Sequence, residues 1–221
     1  PVTDASFPPP DPGQRAGHDA ALLLRDALIL SLRRGAGPFR SFGQIAVEPR
    51  AYQLVPLLMA LKLDPVRLLI ADDVGIGKTI EAALIARELV DRGDIDRFAV
   101  LCPPHLVDQW CRELESRFHL RSVAVTAGSA SRLERDLPPS ESIFTTHPYT
   151  VVSLDYIKSN QRRAEFLRAC PEFVIVDEAH TCATGGQGRH QRYELLKGLT
   201  QSHTRHLVML TATPHSGDES A

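Results

Sequence analysis

The run with the clearest chemical signature is Asp72-Asp73-Val74-Gly75-Ile76-Gly77-Lys78-Thr79. Gly75 and Gly77 allow the backbone to turn sharply and to point its N–H groups inward. Residues 79–86 have a strong helical pattern, so the positive end of a helix dipole would face the same point. Lys78 would add a cation for the β- and γ-phosphates of a nucleotide, and the Thr79 hydroxyl suits Mg²⁺. The run therefore predicts a phosphate-binding loop.

Two adjacent carboxylates, Asp177 and Glu178, directly follow a short apolar run further along the chain. A carboxylate at a strand tip suits Mg²⁺, and a second one beside it could orient and deprotonate an attacking water. The segment 177–180, Asp-Glu-Ala-His, could equally be the solvated start of a helix. Its pairing with a phosphate-binding loop favours nucleotide hydrolysis.

Short apolar runs alternate with helical stretches and predict the scaffold that positions these groups. The runs are Leu68–Ala71, Phe98–Leu101, Val123–Val125, Val151–Leu154, Phe173–Val176 and Leu207–Leu210. Continuous apolar runs are typical of strands covered on both faces, so we predict an α/β fold with a mostly parallel sheet flanked by helices. Four of these runs end in polar, glycine or proline residues. A ligand crevice is therefore expected at the carboxyl edge of the sheet.

The composition is that of a globular domain preceded by a polar segment. With 43% hydrophobic residues and a net charge of −2, the chain can bury a core and is unlike strongly basic, histone-like proteins. We predict a disordered lead-in over 1–18, a helix and connector over 19–48, and a nucleotide-binding domain over 49–221. The cysteine spacing is typical of reduced thiols in the cytoplasm, and neither a secretory signal nor a membrane span is evident.

Four ordered motifs together resemble those of superfamily 2 helicases. They are Asp72–Thr79, Leu101–Trp110, Asp177–His180 and Leu210–Gly217. Over about residues 40–217 the chain is similar to the Swi/Snf-related ATP-driven translocases on double-stranded DNA, particularly the bacterial RapA-like members. Their loop reads DExGxGKT, which the chain matches with Asp73 in place of Glu. The resemblance implies a RecA-like fold.

The resemblance also implies a role for each matching residue, with ATP and Mg²⁺ as the cofactors. The nucleotide-binding set would be Gln53, which reads the adenine edge, with Asp72, Asp73, Val74, Gly75, Ile76, Gly77, Lys78 and Thr79. The catalytic set would be Lys78, Asp177 and Glu178, with Thr79 and Asp177 as the Mg²⁺ ligands. Residues that couple the nucleotide state to the DNA site would be His180, Thr211 and Thr213. Residues near the nucleic-acid backbone would be Pro103, Pro104 and Gln109.

Two further features each have a functional and a structural interpretation. The basic segment 183–197, which includes Arg189 and Arg192, could contact nucleic-acid phosphates or form a solvated loop and helix face. The residues Trp110, Leu114 and Phe118 recur every four positions, and we interpret them as core rather than as a base-stacking platform.

The proteins that the chain resembles use double-stranded DNA and a second RecA-like lobe that supplies arginine fingers. The sequence ends at Ala221, so we expect it to hold the first lobe only and to have weak or no activity alone. The runs around Ala71–Thr79 and Thr211–Asp218 are also similar to helicases of bacterial phage-defence operons. The alternatives are an ATPase or kinase domain without a nucleic-acid substrate, and a non-catalytic binding scaffold.

Overall fold

The structure, a computed structural model, describes residues 17–18, 22–23, 25, 39–72, 75–138, 140–182 and 187–212. The chain divides into two compact units, residues 1–43 and 44–221. In the first unit, a 3₁₀ turn spans Ser41–Gly43, and the rings of Phe39 and Phe42 stack with centroids 4.8 Å apart. Most of the lead-in and of the predicted N-terminal helix lies outside the described residues.

The second unit is built around a six-stranded sheet in which every pair of neighbours is parallel. The strands are β1 (Arg67–Ala71), β2 (Phe98–Cys102), β3 (Val123–Val125), β4 (Tyr149–Ser153), β5 (Phe173–Val176) and β6 (His206–Thr211). Their order across the sheet is β1-β6-β5-β2-β4-β3. Each strand coincides with one of the six apolar runs to within two residues at either end, which confirms the predicted α/β architecture.

Among the described residues of this second unit, one helix precedes the sheet in the chain and the others lie between successive strands, as parallel pairing requires. They are α1 (Leu54–Ala60), α2 (Lys78–Arg92), α3 (Val107–Phe118), α4 (Ala127–Arg135), α5 (Ile143–Thr146), α6 (Asn160–Arg168) and α7 (Gln187–Thr200). Short 3₁₀ turns span Ala51–Gln53, Pro104–Leu106 and Ala179–Cys182. Local sequence sets several helix ends: the Thr126 hydroxyl caps α4, and Gly93, at φ +75°, ends α2.

The core lies on both faces of the central strands, and the outer strand β1 is more exposed. Every residue of β2 and β5 is buried, whereas Leu69 of β1 is 56% exposed. The side chains of Trp110, Leu114 and Phe118 are fully buried against the sheet, which confirms their interpretation as core. Among the described residues, no helix is long and apolar enough to cross a membrane.

Candidate active site

Three neighbouring strands end at one edge of the sheet in the segments that the sequence singled out. β1 leads into the phosphate loop, β6 ends at Thr211, and β5 leads into Asp177. Ala71 pairs with Thr211, and Val176 pairs with Met209 two residues before that threonine. Because all three strands are parallel, their carboxyl ends bring these segments to the same edge.

The backbone of the phosphate loop is shaped by its two glycines. Gly75 has φ +88° and Gly77 has φ +106°, backbone conformations that residues with a side chain rarely adopt. Gly77 directly precedes α2, and its carbonyl accepts hydrogen bonds from the N–H groups of Ile80 and Glu81 at 2.8 and 3.1 Å. The predicted site residues Asp73 and Val74 lie outside the described residues.

Lys78, the first residue of α2, reaches back across the loop. Its Nζ donates a hydrogen bond to the backbone carbonyl of Asp72 at 2.6 Å. Burial raises the pKa of Asp177 at the β5 tip, and the positive charge of Lys78 partly opposes that rise. The loop cation and the paired carboxylates therefore belong to one site.

Gln53 is buried against the phosphate loop. Its Nε2 donates to the carbonyl of Ile76 at 3.1 Å, and its Oε1 accepts the N–H of Arg50 at 3.0 Å. The hydroxyl of Tyr52 donates to the same Ile76 carbonyl at 3.1 Å. The 3₁₀ turn Ala51–Gln53 thus holds the middle of the loop by two side chains, of which the sequence indicated only Gln53.

An apolar cavity of about 600 Å³ lies beside this turn and the loop. Its lining includes Tyr52, Met59, Leu69, Asp72 and Ile76. Mostly apolar walls with a few polar groups are typical of small-molecule pockets. The cavity adjoins the phosphate loop through Asp72 and Ile76, and most of its lining is apolar.

The Asp177 carboxylate is 7% exposed and is held at both of its oxygens. Its Oδ2 accepts the indole N–H of Trp110 at 2.9 Å, and its Oδ1 accepts the backbone N–H of Glu178 at 2.9 Å. Burial raises the pKa of Asp177, and the two hydrogen bonds together with Lys78 oppose that rise. The sequence placed Trp110 in the core but did not reveal this second role.

Glu178 adopts a left-handed conformation, with φ +52°, that turns the chain at the β5 tip. Its Oε2 lies 3.2 Å from Nδ1 of His180, and the same Nδ1 lies 3.2 Å from the hydroxyl oxygen of Thr211. The structure therefore brings together the second carboxylate and two of the three residues predicted to couple the sites. The third, Thr213, lies outside the described residues.

The side chains at this edge fit a magnesium ion that a nucleotide helps to hold. Thr79 and Asp177 offer a hydroxyl and a carboxylate, the hard oxygen donors that Mg²⁺ prefers. Within the described part of the chain, no cluster of three or more His, Cys, Asp or Glu side chains could form a metal cage. Mg²⁺ typically needs no such cage, since it is bound by one or two carboxylates together with substrate phosphates and water.

Glu81 is a buried carboxylate that the sequence did not indicate. It lies in the first turn of α2 and is 1% exposed. Burial, and then the negative charge of Asp72, raises the pKa of Glu81 to about 7, whereas Lys78 lowers it. The carboxylate therefore adds a group with an unusual pKa beneath the loop.

The residues predicted to lie near nucleic acid do not form one basic surface in the described structure. Pro104 and Gln109 are exposed, and Gln109 donates to Glu113 at 3.0 Å. Arg192 lies 3.6 Å from Asp155, in a long ion pair, and the side chain of Arg189 is outside the described part. The contact of Arg192 and Gln109 with nucleic acid therefore stays a prediction.

Comparison of the sequence with known proteins extends these observations. Residues 52–220 match the family of SNF2-related domains. The RNA polymerase-associated protein RapA of Proteus mirabilis is 34% identical over 156 residues, which cover 70% of this chain and 16% of RapA. RapA of Yersinia enterocolitica is 35% identical over 149 residues, which cover 67% of this chain and 15% of RapA. The chain therefore spans about a sixth of the length of these curated relatives.

Solved helicase structures share the fold. The SWI2/SNF2 ATPase core of Sulfolobus solfataricus in complex with dsDNA has a TM-score of 0.57 and 17% identity, covering 77% of this chain and 33% of that one. The UvsW helicase from bacteriophage T4 has a TM-score of 0.56 and 17% identity, and the match covers 79% of this chain and 56% of the UvsW chain. At such identities the likeness shows the RecA-like α/β fold alone. The match over residues 52–220 shows more, namely that the chain belongs to the SNF2-related family.

Proposed function

We propose that this chain is the N-terminal ATP-binding lobe of a DNA translocase, which couples hydrolysis of Mg-ATP to movement on double-stranded DNA. One observation carries the proposal. The ends of β1, β6 and β5 are adjacent and present a phosphate-type loop, a threonine and a pair of carboxylates at one edge. These are the groups that phosphoryl transfer to water requires: a phosphate cradle, a metal-binding carboxylate and a base.

In this proposal each group performs one task. The N–H groups at the start of α2 and the ammonium of Lys78 bind the phosphates, because both present positive charge to the same point. Thr79 and Asp177 would hold Mg²⁺, which supplies charge stabilisation to the phosphate oxygens. Glu178 accepts a proton from the attacking water. The contact between Glu178 and His180, 3.2 Å long, orients that carboxylate.

The nucleic-acid part of the proposal has separate support. The motif order resembles that of double-stranded DNA translocases, and the SWI2/SNF2 core that shares this fold was solved with dsDNA. In the proposal, the loop at Pro103–Pro104 and the neighbouring Gln109 face the DNA backbone. A second RecA-like lobe completes the grip and supplies a transition-state arginine. The proposed setting, a bacterial phage-defence system, rests on the sequence similarity around residues 71–79 and 211–218.

The test is ATP hydrolysis with and without saturating duplex DNA, by residues 1–221 alone and by a chain that also carries a second lobe. We expect negligible hydrolysis by the single lobe, because an arginine finger contributes on the order of 10³–10⁵ in rate. With the second lobe, duplex DNA should stimulate hydrolysis, and Lys78→Ala should abolish it. Hydrolysis that duplex DNA leaves unchanged would favour an ATPase without a nucleic-acid substrate.

A further inference from the structure

The strand tip that carries Asp177 is fixed by three hydrogen bonds from three different directions. The backbone N–H of Asp177 donates to the carbonyl of Leu101 in β2 at 2.8 Å. Its Oδ1 accepts the N–H of Glu178, and its Oδ2 accepts the indole N–H of Trp110, both at 2.9 Å. A carboxylate offers about four lone-pair sites, so one site on each oxygen stays available.

Of these three bonds, the one from Trp110 alone comes from a side chain. Trp110 lies in the first turn of α3, is 1% exposed, and is 67 residues away from Asp177 in sequence. A buried indole N–H needs an acceptor, and a buried carboxylate needs donors, so each group satisfies the other. Together with the backbone N–H on Oδ1, this bond fixes the torsion of the carboxylate, because each oxygen then has its own donor.

We propose that Trp110 is a positioning residue that holds the Asp177 carboxylate in the orientation required to bind Mg²⁺ together with the nucleotide. The inference rests on the proposed function, since it assigns a task to Trp110 in the same site. Hydrogen-bonded partners of metal-binding groups typically contribute 10- to 100-fold to metal affinity or activity, because they fix the orientation of the ligand. Trp110 occupies that place here.

Trp110 also lies close in the chain to the loop that is proposed to face DNA. The 3₁₀ turn Pro104–Leu106 leads directly into α3 at Val107, so one 3₁₀ turn and the first turn of α3 separate Trp110 from the loop at Pro103–Pro104. A displacement of that loop would move the donor on Oδ2. The same bond thus connects the segment proposed to face DNA with the segment proposed to hold Mg²⁺.

The test compares nucleotide affinity in excess Mg²⁺ with that in excess EDTA, using fluorescently labelled ADP and residues 1–221. Trp110→Phe removes the N–H donor and some volume. Phe118→Leu, a buried aromatic on the same helix far from Asp177, is the matched control. We expect Trp110→Phe to lose about 10- to 100-fold of affinity in Mg²⁺ and little in EDTA. Phe118→Leu should keep the ratio of the two affinities at its wild-type value.

A second variant separates the hydrogen bond from the shape of the side chain. Trp110 is the single tryptophan of the sequence, so growth with 3-benzothienylalanine replaces it by an isostere in which sulfur stands for the N–H. This protein should lose Mg²⁺-dependent affinity as Trp110→Phe does. If the isostere keeps the wild-type ratio, the N–H has no positioning role and the proposal is overturned.

A spectroscopic measurement tests the bond without any nucleotide. With ¹⁵N-labelled tryptophan the protein has one indole N–H resonance, which should be protected from exchange and should move in Asp177→Ala. An indole signal that does not respond to Asp177→Ala would also overturn the proposal. A wild-type protein that binds no nucleotide would instead contradict the proposed function, and the resonance would still report on the bond between Trp110 and Asp177.

Discussion

Replacing Gly77 by alanine tests whether the phosphate loop and Gln53 depend on each other. Gly77 has φ +106°, and a Cβ added there would lie 2.4 Å from Nε2 of Gln53. Gly75 is a matched control, because it has φ +88° but an added Cβ would meet nothing within 4 Å. Both substitutions strain the backbone, and only Gly77→Ala must also displace the Gln53 side chain.

The expected magnitudes follow from these contacts. An alanine held in such a backbone conformation destabilises the folded state by about 1–3 kcal/mol. Replacing glycine also makes the unfolded chain less flexible, which stabilises the folded state by about 0.4–1 kcal/mol. Displacing Gln53 breaks its bonds to Ile76 and Arg50, each of which contributes about 0.5–1.5 kcal/mol. Gly75→Ala should therefore lower the free energy of unfolding by at most about 2.6 kcal/mol, and Gly77→Ala by about 1–3 kcal/mol more.

Urea denaturation of both variants measures the difference, and a double-mutant cycle with Gln53→Ala identifies its origin. When Gln53 is alanine, the two glycine substitutions should lower the free energy of unfolding by the same amount, to within about 0.5 kcal/mol. Nucleotide affinity should fall further in Gly77→Ala than in Gly75→Ala, since Gln53 borders the loop. The reasoning is refuted if Gly77→Ala costs no more than Gly75→Ala, or if the difference persists when Gln53 is alanine.

Two other substitutions test the rest of the site, and a third tests a half-buried histidine at the start of β6. Lys78→Ala should abolish detectable binding of labelled ATP, whereas the exposed Lys62→Ala should bind as wild type does; equal binding by both would exclude the loop as the phosphate site. Glu178→Gln should bind ATP normally but hydrolyse it slowly in the presence of the second lobe, since an amide accepts no proton near neutral pH; a rate within about tenfold of wild type, or 1.4 kcal/mol, would exclude Glu178 as the base. Burial lowers the pKa of His206, whose Nδ1 accepts a backbone N–H, so the unfolded chain takes up a proton first and stability should fall as the pH drops below about 6.5. His206→Asn keeps a hydrogen-bond acceptor but does not titrate, so its urea midpoint should depend less on pH than that of the wild type. Equal pH dependence of the two midpoints would contradict the role of His206.

The sheet could be predicted from the sequence because its central strands are covered on both faces. Such strands need apolar side chains at every position, so β2 and β5 appear as uninterrupted apolar runs that end in Pro103 and Asp177. A parallel sheet gathers its strand ends at one edge, which is why the approximate place of the site followed as well. Spacing alone did not give the order of the strands, with β6 between β1 and β5.

The partners of the site residues could not be predicted, because they come from distant parts of the chain. Trp110 and Leu114, one turn later in α3, follow the same four-residue spacing of apolar side chains. Of the two, only Trp110 bonds to a carboxylate at the end of β5. Arg162 is an ordinary basic residue in sequence, but it bonds to Glu134 of α4 and lies 5.2 Å from the ring centroid of Tyr156. Periodicity shows which face of a helix is buried and leaves open which polar group that face meets.

In the proposed coupling between the nucleotide site and the DNA site, the atom that makes the contacts is Nδ1 of His180. Its Nδ1 lies 3.2 Å both from a carboxylate oxygen of Glu178 at the β5 tip and from the hydroxyl of Thr211 at the end of β6. With a proton on Nδ1 the ring donates to the carboxylate, and without one it accepts from the threonine hydroxyl and faces an unfavourable lone pair on the glutamate. These two arrangements exclude each other. A shift of β6 relative to β5 would therefore change how the proposed base is oriented, although neither His180 nor Thr211 need touch the nucleotide.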